Sequence, residues 1–584
     1  MRRLCVVLVV ALRVAAAEPE LRLLPPVVVE GGESWSVEER LQFHGVPGVS
    51  FAVIEHGRIV LAKGYGFADV AKKRPVTPDT LFLAGSVSKP VTAIAAVDLV
   101  ERGRLPLDAD INTLLRSWQL PSNEHTAKTP VTVRQLLSHS AGTTVHGFPG
   151  YARDEAIPTT RQILDGMTPA NTPAVRVDLA PNTKFRYSGG GTTIAQLALS
   201  ELTGESFPSL MRRLVLGPLG MSSSTYANPL PASKHALAAT GYRSGGRPIP
   251  GGWHVYPEMA AAGLWTNPSE LARVVLEMRD ALAGRPSRVL SIDGARLMLT
   301  PRFPTGPGGQ IGVGFFLEDR GTFGHNGVDE GFLALLVATK DAEHGLVAMT
   351  NSDAGFPLLD EIQRGVASAY HWPGVEPQRL SVRAVPPDVL ASAPGRYRQA
   401  PDRILSIRRA GDALELRTID GRWVRLHALE DGTLTRSDLN QRYRLTSAGL
   451  DIVGQPTVTA ARTTEPPSGS ELIAEGRIDE GLAAYRAAPP DAPSINRLGY
   501  NYLRTGRRRE AMALFRLNTE LHPTSANAWD SLADALVQAD DREGAIEATQ
   551  KALALVDADP SLDEGAKFWI RTGGKGRLHE LGVR

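Results

Sequence analysis

Two proline-rich stretches limit what this chain can become, because neither could run through a packed core. Pro373, Pro377, Pro386 and Pro387 crowd residues 373–387, and Pro466 and Pro467 sit among small polar residues in 463–470. Proline fixes φ and removes a backbone donor, so both stretches read as linkers. They divide the 584 residues into a long N-terminal unit, 18–372, a short middle unit, 388–462, and a C-terminal part. Each unit must then bury a core of its own.

The C-terminal part is repetitive over 471–560. Leu498, Gly499, Tyr502, Gly506, Ala511 and Phe515 fall 34 residues before Leu532, Ala533, Leu536, Asp540, Ala545 and Thr549. A helix–turn–helix period of that length resembles the tetratricopeptide repeat. Fewer than three full copies are marginal alone, so the array is expected to lean on the middle unit or to dock a protein partner. Residues 561–584 read only as a basic tail. The middle unit shows short β-type runs at 403–408, 413–418, 423–426, 443–445 and 450–453, with turns at Gly411-Asp412, Asp420-Gly421 and Asp431-Gly432. That pattern predicts a small β-sandwich or barrel.

At the start, Met1-Arg2-Arg3, an apolar run over 4–12 and Ala15-Ala16-Ala17 before Glu18 make residues 1–17 a signal peptide, implying a periplasmic or extracellular protein. The only cysteine, Cys5, would leave with it, which excludes disulfides and cysteine chemistry afterwards. No later run reaches the 18 apolar residues of an integral membrane segment. The formal net charge of +1 gives no footprint for nucleic acid.

In the long unit, alternating runs at 50–54 and 59–62 around His56-Gly57 predict a hairpin, and 311–317, 331–338 and 345–349 predict three late strands. Early and late strands can share one antiparallel sheet with the intervening helices packed on it, an α+β arrangement. The segment Gly85-Ser86-Val87-Ser88-Lys89 opens an apolar helix, and Lys89 is the only one of the eleven lysines with serine three residues before it. On one helical turn the hydroxyl and amine meet. A desolvated lysine can take the proton of a serine nucleophile, and the backbone N–H groups of a helix start can hold an oxyanion. Tyr187 is a candidate proton relay, and His325-Asn326-Gly327 can offer a side-chain donor beside a strand edge open to substrate. His139 reads as a turn residue bonding backbone groups. The cluster Gly189-Gly190-Gly191 fits neither phosphate-binding glycine fingerprint.

In order, Ser86-x-x-Lys89, Tyr187-Ser188-Gly189 and His325-Asn326-Gly327 resemble the three motifs of the serine β-lactamase and penicillin-binding-protein superfamily. The likeness is to the class C β-lactamase-like branch, which also holds D-alanyl-D-alanine carboxypeptidases, D-stereospecific aminopeptidases and family VIII carboxylesterases. It covers about residues 47–351, and the segments Leu136 to Gly142 and Ala261 to Trp265 share in it. The resemblance implies a β-lactamase-like sheet with an all-helical subdomain. It also implies acyl transfer through Ser86, with Lys89 and Tyr187 moving the proton and the N–H groups of Ser86 and Val328 holding the oxyanion, without metal or cofactor.

Two departures bear on substrate. Gly189 stands where the family commonly has an asparagine that holds an amide, and His325 stands where class C β-lactamases carry a lysine. Both weaken recognition of β-lactam carboxylates. The expectation is a hydrolase of an ester, amide or D-amino-acid peptide. The alternatives are a β-lactamase, or a non-catalytic protein that binds cell-wall ligands and docks partners through its repeats.

Overall fold

In the computed structural model, residues 21–29, 32–373 and 375–583 are described. The expected signal peptide lies outside them. The hairpin forms as β1 (Gly48–Glu55) and β2 (Arg58–Asp69), turned at His56 and Gly57, both at positive φ. The helix α1 (Ser88–Glu101) follows a single 3-10 turn, Gly85–Val87. The glycine cluster forms the first turn of α2 (Gly189–Thr203), capped by the Ser188 hydroxyl. Late in the unit come β3 (Thr322–Asp329), β4 (Phe332–Thr339) and β5 (His344–Thr350).

These strands make one nine-stranded sheet in the order Arg74–Pro75, β2, β1, β5, β4, β3, Phe316–Glu318, Gly309–Ile311 and Phe303–Gly306. The last strand of the chain order thus joins the first, with Val347 opposite Ala52. Alternation along β4 sends Ala334, Leu336 and Ala338 into the main core with α1 and α2. It sends Leu333, Leu335 and Val337 to a second core under the helices Val37–His44 and Phe356–Ala369. Pairing of β3 with Phe316–Glu318 covers only Thr322 to Gly324. Beyond Gly324, β3 has a ladder on one side and an open edge on the other.

The stretch 373–387 is not the bare linker its prolines predict. Gln378–Leu380 pairs in parallel with Val27–Val29, and Val382–Arg383 pairs with the strand Trp423–Leu429. Prolines are tolerated here because they fall outside these short pairings, Pro373 and Pro377 before the first and Pro386 and Pro387 after the second. The middle unit resolves its two alternatives as a barrel: eight strands from Gly395 to Arg462 close through a pairing of Trp423–Leu429 with Leu434–Arg436.

The C-terminal part is built of helical hairpins, Gly469–Ala474 with Ile478–Ala487, Ala492–Arg504 with Arg508–Leu521, and Ala526–Gln538 with Arg542–Leu555. Pairs 34 residues apart bridge successive hairpins, Arg486 to Glu520 and Tyr500 to Asp534. The first hairpin leans on the barrel through Arg396 to Glu471 and the Tyr485 hydroxyl to Asp402. The basic tail is in fact ordered as a helix, α3 (Glu564–Glu580), capped by Asp563. Four glycines in α3 hid it from propensity reasoning, and packing against the preceding hairpin overrides them. Among the described residues no helix is long and apolar enough to cross a membrane.

Candidate active site

Ser86 sits on the 3-10 turn and Lys89 on the first turn of α1, so the expected meeting occurs: Lys89 Nζ donates to Ser86 Oγ at 2.9 Å. A second bond from Nζ to the Ala261 carbonyl, 2.8 Å, fixes the amine in place. The carbonyl is itself positioned from α2, where Gln196 accepts from the Ala260 N–H at 2.8 Å and donates to the Pro257 carbonyl. Ser88, buried, ties the turn to the same loop by donating to the Gly85 carbonyl and accepting from the Leu264 N–H. The sequence marked the Ala261 to Trp265 segment by resemblance alone, whereas Gln196 and Ser88 carried no signal because their roles depend on a long-range contact.

Strand β3 presses backbone to backbone on the nucleophile turn. A Cβ on Gly327 would lie 2.0 Å from the Ala84 carbonyl oxygen, and one on Gly85, at φ +50°, would lie 2.5 Å from the Val328 nitrogen. Only glycine at both positions permits that approach. It brings the Val328 backbone beside Ser86 while the Val328 side chain stays 56% exposed. Asn326 is exposed and shares its face of β3 with Val328.

Tyr187 precedes α2 and packs among rings, with its centroid 4.3 Å from His139, 4.9 Å from His146 and 6.1 Å from His325. Lys89 Nζ lies 4.9 Å from the Tyr187 ring centroid. Ser86, Lys89, Tyr187 and His325 therefore converge. His139, at φ +54°, accepts the Ser188 N–H on Nδ1 at 3.2 Å, a backbone role that orients the Tyr187 turn. At Gly189 a Cβ would lie 2.8 Å from the Phe148 ring and 3.2 Å from the His146 carbonyl. The space that an asparagine would need is filled by Phe148.

His325 is buried, and its Nδ1 stands 2.6 Å from the Asn326 carbonyl. A carbonyl only accepts, so Nδ1 carries the proton and Nε2 presents a lone pair. Among the described residues Nε2 has no partner. Burial, then the charge of Lys89, pushes the imidazole down to about 3, so it stays neutral. The side chain expected from sequence as a donor is an acceptor. Burial also holds His139 well below the ordinary histidine range and lowers His146, with Lys89 adding to both. Two buried carboxyls had no sequence signal. Burial pushes Glu258 up to about 8, and it pushes Asp329 well above the usual carboxylate range against the pull of Lys89 and the Gly85 backbone.

These groups open on a cleft of about 1360 Å³, whose walls include Phe148, Pro149, Phe185 and Phe316. Its charged lining is Lys89 and Arg320 against Glu318, Asp319 and Glu330, while burial raises the other two carboxyls of the lining, Asp329 and Asp360. His254, Glu330 and Glu580 bring ligand atoms within 4.8 Å of one another. Arg243 lies between the two carboxylates and supplies the positive charge there.

A serine bonded to a lysine at a helix start, beside a glycine-bearing strand of an antiparallel sheet, is an arrangement found in serine acyl-transferring hydrolases. Residues 36–370 match the family model described as Beta-lactamase, and the chain belongs to that family. It is 27% identical over 235 residues to Protein flp of Staphylococcus aureus (strain N315), covering 40% of this chain and 44% of that protein. It is 28% identical over 257 residues to a beta-lactamase of Pseudomonas fluorescens, covering 43% of this chain and 65% of that one. The chain thus spans under two thirds of the length of these curated relatives. The octameric penicillin-binding protein homologue from Pyrococcus abyssi superposes with TM-score 0.51 at 22% identity, over 72% of this chain and 97% of that one, a likeness of fold.

Proposed function

We propose that this protein is an exported serine hydrolase that forms an acyl-enzyme on Ser86 and releases it to water, with a neutral ester or amide as substrate. The observation that carries the reading is the bond from Lys89 Nζ to Ser86 Oγ, with the amine pinned by the Ala261 carbonyl. Ser86 Oγ attacks the carbonyl carbon while its proton passes to the Lys89–Tyr187 pair, which enters the step one proton short of an ammonium beside a neutral phenol. The carbonyl oxygen gains the negative charge against the backbone N–H groups of Ser86 and Val328. The pair then returns the proton to the leaving atom as the bond to it breaks. Water repeats the sequence on the Ser86 ester, its proton taking the same route, and the acid product departs.

Three features favour neutral over anionic substrates. Phe148 fills the place of an amide-binding side chain, His325 presents a lone pair in place of a cation, and the carboxylates of Glu318, Asp319 and Glu330 outnumber Lys89 and Arg320 along the cleft. A β-lactam carboxylate would meet all three. A short peptide is the second reading, favoured by the open edge of β3 past Gly324, where an extended chain can add as a strand.

Labelling with a fluorophosphonate, followed by mass spectrometry, tests the nucleophile. The adduct is expected on Ser86 and absent from Ser86→Ala; a labelled Ser86→Ala protein would overturn the reading. Lys89→Ala should lower kcat on p-nitrophenyl acetate on the order of 10³-fold or more. A chromogenic cephalosporin should be turned over less efficiently than the ester.

A further inference from the structure

The cleft that holds Ser86 and Lys89 is also lined by Trp569 and Gly573, which belong to α3, the last helix of the chain. At 100° per residue, Trp569, Gly573, Gly576 and Glu580 fall on one face of α3. That face is open: a Cβ on Gly573 or Gly576 would meet nothing within 4 Å. Trp569 is 47% exposed, a large apolar side chain left with free surface.

The face is also anchored. Glu580 accepts from both arms of the Arg243 guanidinium, and Arg243 donates from its Nε to Glu330. Glu330 directly follows β3, two residues past Val328, and its N–H donates to the Tyr256 hydroxyl at 2.9 Å. The side chain of Glu580 is only 9% exposed. On its far side α3 is held to its own domain, with Arg577 donating to Asp530 and Asp534 and Arg542 donating to the Leu581 carbonyl. The helix is therefore clamped from both sides, with its small-residue face and one tryptophan turned to the cleft.

We infer that α3 forms a wall of the substrate cleft and that Trp569 is a specificity-determining residue that receives a large apolar arm of the substrate. The inference rests on the acyl-transfer reading of Ser86 and names a substrate class for it: esters with an extended alkyl or aromatic group. The walls on the hydrolase side, Phe148, Pro149, Phe185 and Phe316, suit the same chemistry. Trp569 adds a further apolar surface to the same cleft, and burying such an arm there gains about 25 cal/mol for each Å² removed from water. The glycines leave room for the arm to pass along the helix.

Steady-state kinetics on the full chain test this with two ester series, p-nitrophenyl alkanoates from acetate to octanoate and acetate esters of phenols of increasing size. In at least one series kcat/KM should rise with the apolar arm in the wild-type protein. Trp569→Ala should cut the long-to-short ratio of that series at least fivefold, and Trp569→Phe should restore most of it. Glu580→Gln, which loosens the clamp without touching substrate, should lower the ratio in the same direction by a smaller factor. An unchanged ratio in both series for Trp569→Ala overturns the inference.

Calorimetric binding of p-nitrophenyl octanoate to Ser86→Ala, with and without Trp569→Ala, tests the wall without turnover. A fivefold or greater loss of affinity supports it, and equal affinities overturn it. If wild-type and Ser86→Ala proteins hydrolyse the esters equally, it is the acyl-transfer reading that falls, and the calorimetry still decides the wall.

Discussion

Gly189 shows how one missing side chain can be a packed feature. The Phe148 ring and the His146 carbonyl occupy what would be its Cβ environment, so Gly189→Asn should overpack the turn. The expected cost is about 1–3 kcal/mol of stability, read as a lower thermal midpoint, with no gain in cephalosporin turnover. Pairing it with Phe148→Ala should recover most of the loss. Glu258 gives a second prediction, with its sign set by burial. Its folded carboxyl titrates at about 8 against an ordinary 4.5. The folded protein therefore holds this proton more tightly than the unfolded chain, so Glu258 contributes fully below pH 4.5, and that contribution is lost as the pH rises through 8. Glu258→Gln should match wild type near pH 5 and melt higher at pH 9, by calorimetry. The meeting of Ser86 and Lys89 was legible from their three-residue spacing, and the place of Tyr187 beside Lys89 from the ordered motifs of the resemblance. Glu258 and Asp329 were not, since nothing local tells a buried carboxyl from an exposed one.

The element that matters most is the crossing of β3 over the turn that starts α1. The β-type runs at 331–338 and 345–349 made β4 and β5 legible as strands, and the helix after Ser86 was legible from its apolar run, whereas β3 was marked only by its His325-Asn326-Gly327 motif. The crossing itself was not legible, because it is made by glycine backbones that carry no pattern. Gly327→Ala places a methyl 2.0 Å from the Ala84 carbonyl, and neither backbone can yield without moving Ser86 or Val328. Ester turnover in that variant should fall on the order of 10²-fold or more, the size of losing an oxyanion donor. The fold should survive by circular dichroism, since β3 remains paired to β4. The reverse case is α3, whose glycines concealed a helix that tertiary contacts hold in place.

At the scale of the molecule, three bodies are joined by interlocked side chains as well as by chain. Arg507 bonds the Asp420 carbonyl on the barrel and the Ile473 and Ala474 carbonyls that end the first hairpin helix. Arg507→Ala leaves those acceptors partly desolvated and should lower the unfolding midpoint of the helical region by an amount equivalent to about 1–3 kcal/mol. Fluorophosphonate labelling of Ser86 should persist through that earlier transition. The way the seams are sewn was not legible in the sequence, because a short strand needs a partner that sequence does not name. One seam reaches further: Val27–Val29, at the beginning of the hydrolase unit, lies hydrogen-bonded alongside Gln378–Leu380 at its end. A unit whose two ends are neighbours behaves as a cassette. It can be inserted into a surface loop of a host protein, or permuted at a new starting point, without its ends having to be drawn together.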